Sequence, residues 1–122
     1  MAKQSQEQLI NNICSLVLKN CENIKLIYLF GSCAKGQASS QSDIDIAILG
    51  KTKFDPVSRW QWQSELAIAL KSDVDLVDLL SASTVMQNQV IHDGICIYDA
   101  ANYSASFEMQ VMSMYQHLND ER

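Results

Sequence analysis

The 122-residue sequence holds a single proline, and no proline-rich linker, internal repeat or low-complexity tract divides it. One domain spanning residues 1–122 is therefore expected. No run of 18 or more apolar residues occurs, which excludes a membrane-spanning helix. The opening segment MAKQSQEQLINN has no apolar core and does not read as a signal peptide, so a cytoplasmic location is expected. Cysteine pairs are missing too: Cys14, Cys21, Cys33 and Cys96 form no CxxC and no zinc-ligand spacing. His92 and His117 fall in no HExxH frame, and structural roles are expected for all six residues. Basic residues are scarce, nine Lys and Arg against fourteen Asp and Glu, for a net charge of −5. A domain that grips a nucleic acid backbone presents a basic face, so direct nucleic-acid binding is disfavoured.

What is present is an apolar fraction of 48%, enough for one compact core. Residues 5–21 carry Leu9, Ile10, Ile13, Cys14, Val17 and Cys21 at three- and four-residue spacing, the period of an amphipathic helix. KLIYLF at 25–30 and DIDIAIL at 43–49 read as strands, the second because apolar and polar residues alternate. Asp55 then caps a helix with Pro56 at its first position, running to about Lys71. DVDLVDLL at 73–80 is a third strand. Ser81 or Ser83 caps a helix to about His92, stopped at Gly94, and ICIY at 95–98 is a fourth strand. From about 103 to 119 a last helix puts Phe107, Val111, Met114 and Leu118 on one stripe, expected to pack within the chain. The order α-β-β-α-β-α-β-α implies a small mixed sheet flanked by helices, an α/β (α+β) sandwich.

The strand at 43–49 carries two aspartates that do nothing to bury it. Residues two apart share a face, roughly 6–7 Å apart, so Asp43 and Asp45 lie with Ala47 while Ile44, Ile46 and Ile48 line the other side. Adjacent carboxylates repel unless a cation lies between them. Magnesium suits such a pair, because it takes one or two carboxylates and leaves room for phosphate oxygens. Asp75 shares a face with Val77 in the third strand. If that strand neighbours the second, Asp75 completes a three-carboxylate cluster able to hold two metals ~3.5–4 Å apart. Asp78 points to the other face and Asp73 precedes the strand. Gly31 and Ser32 end the first strand ten residues before Asp43; a glycine there lets backbone N–H groups turn to a phosphate, and the serine adds a hydroxyl. A P-loop is ruled out, since Gln37 and Ala38 stand where Lys and Ser/Thr are required. An EF-hand fails as well.

Gly-Ser, a ten-residue spacer, Asp-x-Asp and a third acid in a later strand resemble the nucleotidyltransferases of the DNA polymerase β superfamily. FGSCAKGQASSQSDIDIAIL, SDVDLVDLLSASTV and GICIYD are similar to the minimal nucleotidyltransferase (MNT) antitoxins of HEPN/MNT toxin–antitoxin pairs, over a core of about 24–99. The resemblance implies AMP transfer from MgATP to a tyrosine hydroxyl of a partner HEPN ribonuclease toxin, in a hetero-oligomer. It assigns Asp43 and Asp45 as the metal-binding pair, Asp75 as the third acid and metal ligand, Gly31 and Ser32 as the triphosphate-binding pair, and two Mg2+. Many relatives have GSRARG where this chain has Gly31-Ser32-Cys33-Ala34-Lys35-Gly36, so Lys35 keeps one positive charge near the phosphates without a bidentate fork. Alternative activities are transfer to a small molecule such as an aminoglycoside, or non-catalytic blocking of a toxin. At 122 residues there is little room beyond the nucleotide half, which favours an acceptor on a second polypeptide.

Overall fold

The computed structural model describes residues 6–31 and 43–120. Among these residues the chain runs α1 (Gln6–Asn20), β1 (Ile24–Phe30), β2 (Ile44–Gly50), α2 (Pro56–Leu70), β3 (Val74–Asp78), α3 (Thr84–Asp93), β4 (Ile95–Asp99) and α4 (Ser104–Asp120). This is the expected element order. The strands form one mixed sheet in the order β3-β2-β1-β4. β1 pairs antiparallel with β2 and β4, and β2 pairs parallel with β3.

Alternation along the strands sorts the core into two layers. Ile27 and Leu29 of β1, Ile44, Ile46 and Ile48 of β2, and Val74 and Leu76 of β3 face one side, packed against α1 and α2 through Ile13, Val17 and Leu66. Leu26, Tyr28, Phe30, Ala47, Leu49 and Leu79 face the other, where Val90 of α3 and Phe107 of α4 cover them. Cys21 is buried in the first layer and its thiol pKa is pushed up to about 12, by burial first and the nearby Glu65 charge second. It packs as a small apolar residue, as expected. Cys96 is exposed, and so are His92 and His117.

Local chemistry explains most element ends. Asp55 is the α2 N-cap, its carboxylate accepting from the Ser58 N–H, with Pro56 behind it. Ser83, one of the two expected candidates, caps α3 by accepting from the Met86 N–H. Gly94 ends α3 with an extended φ of −95°, not a left-handed one. A glycine is needed there because a Cβ would lie 2.6 Å from the Val90 carbonyl oxygen and 3.0 Å from that of Leu29. β3 stops at Asp78, short of the expected Leu80. The Asp78 carboxylate is buried and accepts from the Phe54 N–H (2.9 Å), the Leu80 N–H (3.1 Å) and the Ser81 hydroxyl (3.0 Å), turning the chain out of the sheet. Asp99 gathers the N–H groups of Ala101, Tyr103 and Ser104 at the start of α4. A hydrogen bond from the Ser104 side chain first, and these backbone bonds after it, hold its carboxyl below the usual range.

The α4 stripe divides along its length. Phe107 lies in the second layer and Val111 is buried, but Met114 and Leu118 are 53% and 47% exposed. Tyr28, in the middle of β1, ties α4 down. Its hydroxyl donates to Glu108 Oε2 at 2.6 Å, and its ring lies 6.4 Å from that of Phe107. Burial, then the Glu108 carboxylate, raise the phenol pKa well above its ordinary value.

Candidate active site

The aspartates come together at one end of the second sheet face. Asp45 in β2 stands directly opposite Asp75 in β3, in parallel register, and on its other side it faces Phe30 of β1. Adjacent strands lie about 4.8 Å apart, so the two carboxyls stand side by side. Asp43 is exposed, just before β2. Asp73 is exposed and contributes its backbone, the carbonyl accepting from the Ile44 N–H at 2.9 Å. Asp75 is the acid that the sheet register sets beside Asp45.

The electrostatics match that crowding. The Asp45 carboxyl titrates above its ordinary range, first because burial disfavours the charge, then because Asp75 and Asp43 repel it. Gly31 closes the site from β1. Its φ is +75°, and a Cβ added there would run into the Asp45 carboxylate. Backbone conformation and close approach thus both demand glycine. Ser32 and Lys35, the other two residues expected at the phosphates, lie outside the described residues, as does Cys33.

Sequence reading missed what holds β3 in place. β3 is an edge strand, and two side chains of α2 satisfy its outer backbone groups. The Leu76 N–H donates to Gln63 Oε1, and the Arg59 guanidinium donates to the Leu76 carbonyl, each at 2.9 Å. Leu76 follows Asp75, so this brace sets the strand that presents the third carboxylate. The available signal was a polar pair four apart on a helix face that also buries Leu66 and packs Trp62.

Hard carboxylate oxygens, partly desolvated and mutually repelling, fit a hard divalent cation such as magnesium. Among the described residues, no three acidic, histidine or cysteine side chains yet converge tightly enough to cage an ion unaided. Asp43, Asp45 and Asp75 are the residues available to hold metal.

Residues 11–103 match the family described as Polymerase beta, Nucleotidyltransferase. The chain belongs to this family. Protein adenylyltransferase MntA of Shewanella oneidensis is 46% identical over 112 residues, which is 92% of this chain and 81% of that protein. A crystal structure of a toxin–antitoxin with AMP-PNP matches at a TM-score of 0.88 and 45% identity, covering 93% of this chain and 91% of that one. A tri-AMPylated Shewanella oneidensis HEPN toxin in complex with its MNT antitoxin matches at 0.84 and 43%, covering 97% and 92%. The expected nucleotidyltransferase fold is therefore the one observed, and the carboxylate end of the sheet is the candidate catalytic centre of a polymerase β-type nucleotidyltransferase.

Proposed function

We propose that this protein is an antitoxin that transfers AMP from MgATP to a tyrosine hydroxyl of a HEPN-type toxin. The chemistry rests on one observation, the register that sets Asp75 against Asp45 under Gly31. The choice of acceptor is supported by the related MNT antitoxin, whose toxin partner is tri-AMPylated.

Asp43, Asp45 and Asp75 would hold magnesium, which would offset the triphosphate charge and polarise the α-phosphoryl group. Gly31, with no Cβ, leaves room at the end of β1 for the Asp45 carboxylate. Ser32 and Lys35 are assigned to bind the triphosphate, the first by hydroxyl and the second by charge. The acceptor oxygen attacks the α-phosphorus in line. An O–P bond forms to the tyrosine, the bond to the bridging oxygen breaks, and pyrophosphate leaves. A tyrosine hydroxyl, with a reference pKa of about 10, is a weak nucleophile at neutral pH. Asp75 lies beside Asp45 on the same sheet face and is assigned to take the proton of the incoming hydroxyl.

The test is intact mass of the toxin after incubation with this protein, ATP and magnesium. Asp43→Asn and Asp45→Asn should abolish the AMP mass increments in a chain that still folds. Asp75→Asn should keep toxin binding and much of the ATP affinity, while transfer falls by roughly 10²–10⁴-fold, the scale of a general base. Full toxin neutralisation by Asp75→Asn with no added mass would show that binding alone neutralises. Retention of more than about a tenth of the wild-type rate in the Asp43/Asp45 double alanine variant would remove the metal role.

A further inference from the structure

A cavity of about 390 Å³ opens at the end of the same sheet face opposite the carboxylates, between α3, α4 and the strand ends at Lys25 and Gly50. Gly50 stands five residues along β2 from Asp45, about 17 Å at the rise of an extended strand. The cavity therefore shares no residue with the carboxylate cluster. Its volume is that of an ordinary small-molecule site.

Its charge is opposite to that of the molecule. In a chain of net charge −5 the lining holds two lysines, Lys25 and Lys51, and no Asp or Glu. Among the described residues, neither ammonium is paired with a carboxylate. Lys25 is aimed by a backbone irregularity. Ile24 and Ile27, three apart, both reach the α1/α2 core, while Leu26 reaches the other layer. The β1–β2 register slips by one residue between Ile24 and Leu26, leaving Lys25 as the extra residue of a bulge. Its side chain then crosses to the α4 side, where Nζ sits 4.9 Å from the Tyr103 ring centroid. An unbulged strand would send it to the opposite face.

The remaining wall defines the rest of the ligand. Phe107, Val111 and Met114 supply an apolar floor. Gln87 is fixed by its Nε2, which donates to the Leu79 carbonyl at 2.6 Å, so its amide oxygen is left as an acceptor. We propose that this cavity binds a small organic anion, a phosphate or carboxylate head on an apolar ring. The head sits between Lys25 and Lys51 and the ring against Phe107 and Val111. The site is separate from AMP transfer and does not depend on the function proposed above.

The test is a titration of the 15N-labelled protein with 1-naphthyl phosphate, followed by amide chemical shifts, with 1-naphthol and inorganic phosphate as partial ligands. The expected result is saturable shifts at Lys25, Gln87, Phe107 and Val111, with a Kd near or below about 1 mM. Lys51→Glu, at an exposed position, should weaken binding about tenfold, and Lys25→Gln with Lys51→Gln at least as much. Asp45→Asn should bind the probe unchanged, and the lysine variants should transfer AMP at the wild-type rate without it. Shifts confined to the Gly31 and Asp45 end, equal affinity for neutral 1-naphthol, or no saturation by about 10 mM would each overturn the proposal.

Discussion

Gly31 and Asp45 show how tightly one backbone position and one side chain are matched here. The glycine takes a left-handed φ of +75°, and the space its missing Cβ would fill is taken by the Asp45 carboxylate. Alanine at this position therefore meets two costs, roughly 1 kcal/mol from backbone conformation and a further amount from the displaced carboxylate. Gly31→Ala should lose about 1–3 kcal/mol in urea denaturation and more than tenfold in AMP transfer. The two costs separate in a double-mutant cycle, because with Asp45→Ala in place only the backbone cost should remain. Equal losses in both backgrounds would mean that the carboxylate does not press on this residue. The Gly-Ser and Asp-x-Asp spacing singled out both the glycine and the aspartate. Their direct contact was not legible, since it depends on the antiparallel register that sets Phe30 against Asp45.

Elements were legible wherever a local signal acts within a few residues. Asp55 and Pro56 announce α2, Ser83 announces α3, and alternation in DIDIAIL separates the isoleucine face of β2 from the aspartate face. Expectation and structure part where a distant partner decides. β3 ends two residues early because Asp78 turns its carboxylate to the chain itself and to Phe54, 24 residues away. The α4 stripe reads as one face, but helical period says nothing of how much of it is covered, and Met114 and Leu118 remain exposed. Parallel pairing of β2 with β3 is likewise set by packing, not by a turn. Asp78 carries the stability consequence. Asp78→Ala removes the acceptor from three donors around a buried site, and about 2–4 kcal/mol of unfolding free energy should go with it. Asp78→Asn, which keeps one carbonyl oxygen, should cost less. A shift below about 1 kcal/mol at unchanged m-value in the alanine variant would mean that water replaces the carboxylate at little cost.

Across the whole molecule, one sheet carries opposite charges at the two ends of a single face. Acids cluster at the Asp45 end, and lysines gather at the Gly50 end where the bulge in β1 aims one of them. The other face is committed to α1 and α2 and is apolar except for the buried Asp78 at the end of β3. The parallel register of Asp45 with Asp75 has a consequence for how the chain reaches this state. The two carboxylates are thirty residues apart in sequence, and α2 must fold across before their strands meet. Contacts of that separation form late, because loop closure precedes any gain from them. A ligand held by both aspartates thus has no binding site on the unfolded chain and a poor one at the folding barrier. Saturating MgATP should leave the refolding rate of a stopped-flow experiment nearly unchanged and slow unfolding instead, by close to the full stabilisation measured at equilibrium. Accelerated refolding would place the β2–β3 pairing inside the folding nucleus, so the chain would commit to its catalytic geometry before its core is complete.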